Sequence, residues 1–147
     1  MFRKVVWATD GSEAADGAMT VAKMLAMEGG GELLVMHGDV AIAPGRAGVR
    51  YPHFTDESEL RTKIEGQVAE LVREGVSATL EVVAADVGGA AHALADAARA
   101  EDADLIVVGT RGHTPLGGLL VGSVTQRLLH IAPCPVLVVP GSRQETD

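Results

Sequence analysis

Gly109-Thr110-Arg111-Gly112, then nine residues, then Gly122-Ser123 is the part of this chain best suited to chemistry. The run Ala103-Asp104-Leu105-Ile106-Val107-Val108 before it reads as a buried strand, and Val124 to Ile131 after it reads as a short helix. A strand, a glycine-flanked loop and a helix opening on Gly-Ser is a layout that holds phosphate. Glycine lets backbone N–H groups approach an anion closely, and a helix start offers unpaired donors with a favourable dipole. Ser123 reads as the N-cap, with Gln126 three residues on completing a capping box. Val124 and Thr125 then bring first-turn N–H groups, and Thr125 a second hydroxyl. Arg111 is the loop's only arginine or lysine and supplements these donors. Glycines in such loops also serve tight turns and close helix–sheet packing alone, and spacing does not separate the two readings. The loop is neither a Walker A sequence nor a Gly-x-Gly-x-x-Gly dinucleotide fingerprint.

Such a loop needs a rigid frame, and strands and helices alternate to build one. Strands are expected at 4–8, 32–37, 78–84, 104–108 and 135–139, and helices at 14–27, 56–74, 89–100 and 122–132. Ser12 reads as the N-cap of the first helix, whose apolar positions are Ala15, Ala18, Met19, Ala22, Leu25 and Ala26. The second helix carries Leu60, Ile64, Val68, Leu71 and Val72 at three- to four-residue spacing. Residues 38–54 hold Gly38, Pro44, Gly45, Gly48 and Pro52 without a period and read as irregular. The expected fold is α/β: an open five-stranded parallel sheet with helices on both faces, as one domain over 1–140 with a polar tail at 141–147. If the strand order is 3-2-1-4-5, the switch point lies between the ends of strands 1 and 4, where Asp10 and Gly109 stand.

Composition narrows the function classes. The net charge is −8 and aromatics are only 3%, which argues against nucleic-acid backbones and stacking platforms but leaves room for a single nucleotide. No apolar run approaches a membrane span and no leader pattern is seen, so a cytoplasmic protein is expected. The one cysteine, Cys134, excludes an intramolecular disulfide and reads as a packed small side chain. His37, His53, His92 and His130 show no metal-ligand spacing, and His113 reads as an exposed loop residue. Trp7 reads as core. Asp56, Glu57 and Glu59 open a helix and complement its dipole. Asp10 either accepts from ribose hydroxyls or caps the next helix.

The segment from Ala103 through Gly112, the Gly122-Ser123-Val124-Thr125 quartet and the ending Ala132 to Val139 resemble the universal stress protein family, as do Val5 to Ser12 and a histidine closing strand 2, here His37. The resemblance spans nearly the whole chain. It implies the 3-2-1-4-5 order of an adenine nucleotide alpha hydrolase-like fold and a homodimer paired through the last strand, Val136–Val139. The glycine pattern marks the family's ATP-binding branch, with Mg2+ accompanying the nucleotide. By resemblance Asp10 faces the adenosine, Gly38 offers its backbone to the adenine, and Gly109 approaches the ribose. Gly112, Gly122, Ser123, Val124 and Thr125 hold the phosphates. The chain departs from the family at Gly38, where a branched apolar residue is common, and at Ala90, where proline is common.

Three functions compete. An ATP-binding stress-response module fits the intact loop and Asp10. A weak ATPase or phosphoryl-transfer enzyme would need a group orienting the attacking nucleophile, and only Arg111 and His113 lie near, so little or no turnover is expected. A nucleotide-free dimeric scaffold is disfavoured by the complete glycine pattern.

Overall fold

The computed structural model of the chain describes residues 1–40, 57–85, 89–110 and 122–141. Its elements are β1 (Lys4–Ala8), α1 (Glu13–Glu28), β2 (Glu32–Val40), α2 (Glu57–Arg73), β3 (Ser77–Ala85), α3 (Ala90–Ala100), β4 (Leu105–Gly109), α4 (Ser123–Ile131) and β5 (Val136–Val139). The sheet order is β3-β2-β1-β4-β5, and every pairing is parallel. The α/β architecture expected from the sequence is therefore present.

Alternation along each strand splits the core into two layers. Val5, Trp7, Leu33, Val35, Leu105 and Val107 face α1 and α2. Val6, Leu34, Met36, Ile106 and Val108 face α3 and α4. Strands buried on both faces explain why their sequences read as continuous apolar runs. The buried stripe of α1 is all alanine (Ala15, Ala18, Ala22 and Ala26), so its backbone lies close to the sheet. Trp7 fills space beneath it, fully buried, and donates its ring N–H to the Ala15 carbonyl at 2.9 Å.

Two expectations are corrected. β2 runs on to Val40, because it pairs residue for residue with β3 as far as Val40↔Ala85, so 38–40 are not irregular. The ladder outweighs the weak strand propensity of Gly38 and Asp39. Residues 41–54 of that stretch and 142–147 of the tail lie outside the described residues. In α2, Val72 is 52% exposed while Leu60, Ile64 and Leu71 are buried. One residue beyond Leu71, it has rotated off the core face.

At the opposite edge of the sheet from the strand ends, Asp104 ties the chain's start to β4. Its Oδ2 accepts the Arg3 N–H at 2.8 Å and the Lys4 N–H at 2.9 Å. These two donors hold its carboxyl below the ordinary aspartate value. A depressed folded value means that the contribution is complete above the unfolded value and lost as pH falls through the folded one. Asp104→Asn is therefore expected to flatten the acid limb of the stability profile below about pH 4. Urea midpoints against pH check this; parallel profiles for the two proteins would refute it.

Candidate functional site

The sheet parts at its carboxyl edge between β1 and β4. The two strands pair only from Val5↔Leu105 to Trp7↔Val107. Beyond that, β1 turns to β2 and β4 turns to β5: the Thr9 N–H donates to the Met36 carbonyl at 2.9 Å and the Thr110 N–H to the Val139 carbonyl at 3.0 Å. The crevice at this switch point is where an open parallel sheet takes its ligands.

Two of the residues singled out from the sequence, Asp10 and Gly109, stand at the ends of the parting strands. Asp10 follows β1, and its Oδ1 accepts the Ser12 N–H at 2.9 Å. Gly11 has φ +79°, the left-handed region, so this turn requires glycine. Its N–H donates to Thr9 Oγ1 at 3.0 Å. Ser12 caps α1 through the Ala15 N–H, as expected. Gly38 lies in β2 opposite Val83, and a Cβ built there would meet the Ala90 Cβ at 3.5 Å, an ordinary contact. The chain's two departures from the family pattern thus face one another.

Gly109 closes β4 and has a packing duty that sequence left as one of two readings. A Cβ there would lie 2.2 Å from the Ala14 carbonyl oxygen and 2.9 Å from the Ala15 nitrogen. The first turn of α1 rests directly on it, which only glycine permits. Arg111, Gly112 and His113 lie outside the described residues.

At α4 the expected cap is corrected by one residue. Gly122, in extended backbone at φ −60° and ψ 158°, is the N-cap; Ser123 is the first helical residue and no side chain caps the turn. The first N–H to find an intrahelical partner is Gln126, on the Gly122 carbonyl at 3.0 Å. That leaves the N–H groups of Ser123, Val124 and Thr125 as the helix's own anion donors. Ser123 is exposed and Thr125 is buried, so Ser123 carries the accessible hydroxyl of the pair. A serine hydroxyl spent on capping would be less free to meet a ligand.

Sequence reasoning missed the groups that brace this edge. His37, only 4% exposed, sets Nδ1 at 3.1 Å from the Thr9 carbonyl oxygen and Nε2 at 2.9 Å from Glu57 Oε1. From the sequence alone Glu57 is legible only as a dipole partner. Lys63 in α2, which no sequence motif marks, donates to the Gly11 carbonyl at 2.6 Å and to Asp16 Oδ2 at 2.9 Å. The only available signals were polar residues on the inner side of an amphipathic helix. A groove of about 360 Å³ between α1 and α2 is lined by no strand residue, and its lysines are already engaged, Lys23 by Glu74 and Lys63 by Asp16. The β1/β4 switch point is the better candidate, because Asp10 follows β1 there and Gly109 closes β4.

Among the described residues no three acidic, histidine or cysteine side chains cluster to hold a metal. Cys134 is half-buried, and burial first, then the Asp104 charge, pushes its thiol above the ordinary value, which suits packing. No helix among the described residues is long and apolar enough to cross a membrane.

A model of the universal stress protein family matches residues 1–140. The chain is 41% identical over 143 residues to a universal stress protein of Thermus aquaticus, covering 95% of this chain and 99% of that one. It is 35% identical over 150 residues to the universal stress protein YxiE of Bacillus subtilis, covering 95% and 99%. Its fold is similar to that of the universal stress protein from Archaeoglobus fulgidus solved in complex with dAMP, at 24% identity and a TM-score of 0.68, covering 94% and 97% of the two chains.

Proposed function

The chain belongs to the universal stress protein family, and on that premise we propose that it is an ATP-binding module of the stress response, acting in the cytoplasm. One observation carries the reading. The complete Gly109-x-x-Gly112, nine-residue, Gly122-Ser123 pattern leads into a helix whose first free N–H groups open after the β4 end of the crevice. The dAMP held by the A. fulgidus relative supports an adenine nucleotide as the ligand class.

In this reading the backbone N–H groups of Ser123, Val124 and Thr125 and the Ser123 hydroxyl receive phosphate oxygens, with Gly112 and Arg111 supplementing them. Asp10 accepts from the ribose, Gly109 lies beneath it, and the Gly38 backbone meets the adenine. The donor set fits an anion. Magnesium would ride on the phosphates and water, since the described residues supply no cage of their own. The edge strand β5, with Leu137 partly exposed, pairs with a second copy across a two-fold axis.

The chain holds nucleotide first and turns it over weakly or not at all. Mass spectrometry of freshly purified protein is expected to find ATP or ADP, and calorimetry to show heat on ATP–magnesium addition. Sedimentation is expected to give twice the chain mass. No copurifying nucleotide together with no heat would sink the ATP reading.

A further inference from the structure

The turn that carries Asp10 is held from α2 as well as by its own strand. At its start, Glu57 steadies His37, and His37 meets the Thr9 carbonyl. At its end, Lys63 Nζ takes the Gly11 carbonyl at 2.6 Å and Asp16 Oδ2 at 2.9 Å, while Gln67 Nε2 donates to Asp16 Oδ1 at 2.9 Å. Within the turn, the Gly11 and Ser12 N–H groups are satisfied by Thr9 Oγ1 and Asp10 Oδ1. The Gly11 carbonyl is therefore the point where the turn is tied to a second helix. Lys63 is about one-third exposed, at 34%, so its charge is partly shielded from water and the tie is stronger than that of a fully solvated lysine.

We propose that Lys63 is a positioning residue for Asp10. Its ammonium locks the Gly11 carbonyl and the first turn of α1 into one frame, and that frame sets where the Asp10 carboxylate stands at the mouth of the crevice. This rests on the nucleotide reading above, in which Asp10 meets the ribose. A carboxylate held in place before the ligand arrives binds with less ordering to supply on association. Lys63 acts through Asp10, so its influence falls on the adenosine half of the ligand and not on the phosphates.

The test compares the full chain with Lys63→Met, which keeps the apolar stem, and Lys63→Arg, which keeps a charged donor. Exchange of the Gly11 and Ser12 amides, read by NMR without nucleotide, is expected to quicken about tenfold in Lys63→Met and to return near the parent rate in Lys63→Arg. Loss of a charge-assisted tie should weaken AMP and ATP by the same factor, about tenfold. In an Asp10→Asn background Lys63→Met should add little further loss, since residues acting through one another are not additive. Unchanged exchange overturns the inference whatever the nucleotide does. Equal affinities in parent and Lys63→Met overturn it too, as does a loss for ATP far larger than for AMP, which would make Lys63 a direct phosphate contact. A parent chain that binds neither nucleotide defeats the ATP reading and the affinity half of this inference together, and amide exchange alone then decides whether Lys63 fixes the turn.

Discussion

Gly109→Ala is expected to destabilise the fold by about 2–3 kcal/mol, with or without nucleotide. The new Cβ would sit 2.2 Å from the Ala14 carbonyl oxygen and 2.5 Å from its carbon. Both are backbone atoms, so no side chain can swing aside; α1 must lift or β4 must bend. Lifting α1 pulls the Ala15 carbonyl away from the Trp7 ring N–H and opens the alanine stripe beneath which Trp7 is packed. A buried indole donor left without its acceptor adds to the overpacking. For a chain of this size the expected fall in Tm is roughly 5–10 °C. Urea and thermal unfolding of the parent and variant check it, and coincident transitions would show that α1 yields without loss. Nucleotide affinity measured on this variant would report the damaged frame, so Gly109 is a poor residue on which to test ligand contact.

Gly122→Ala is expected to do the reverse: keep the fold and lose the ligand. Gly122 sits at φ −60° and ψ 158°, extended backbone that alanine adopts freely. The N-cap preference for glycine over alanine amounts to only about 0.5–1 kcal/mol of stability. A methyl group at the mouth of the α4 donors, however, stands where phosphate oxygens must approach the Ser123, Val124 and Thr125 N–H groups. The proposed ATP site should weaken on the order of a hundredfold, comparable to losing one hydrogen bond to a charged group. Calorimetry against ATP and magnesium, run beside an unfolding curve, separates the two effects. Normal ATP binding by Gly122→Ala would remove the phosphate cradle from this loop. Any ADP production by the parent that vanishes with the variant would instead assign turnover to the same site.

These two glycines lie in one motif and carry the same residue type, yet their environments differ. At Gly109 the neighbours are backbone atoms of α1, more than ninety residues away in the chain. At Gly122 the local feature is a helix start. The second kind of role is legible from a few adjacent residues, and the first is not. The same divide separates the two caps. Ser12 was identified from the residues around it, whereas the cap expected at Ser123 belongs to Gly122, because extended backbone at the glycine is enough to open α4 and needs no hydroxyl.

Local sequence dictates the alternation of five strands and four helices, the apolar positions of the first two helices except Val72, and the glycine-flanked stretch between β4 and α4. These follow from periodicity and turn chemistry, which act over a few residues. Family resemblance supplied the sheet order that periodicity left as an assumption. How the pieces brace one another is set by long-range packing. It extended β2 to Val40 through its ladder with β3, pressed α1 onto Gly109, and tied the Asp10 turn to Lys63 and His37. Those contacts join residues far apart in the chain, and their partners are chosen by how strands and helices pack together, which no local pattern encodes.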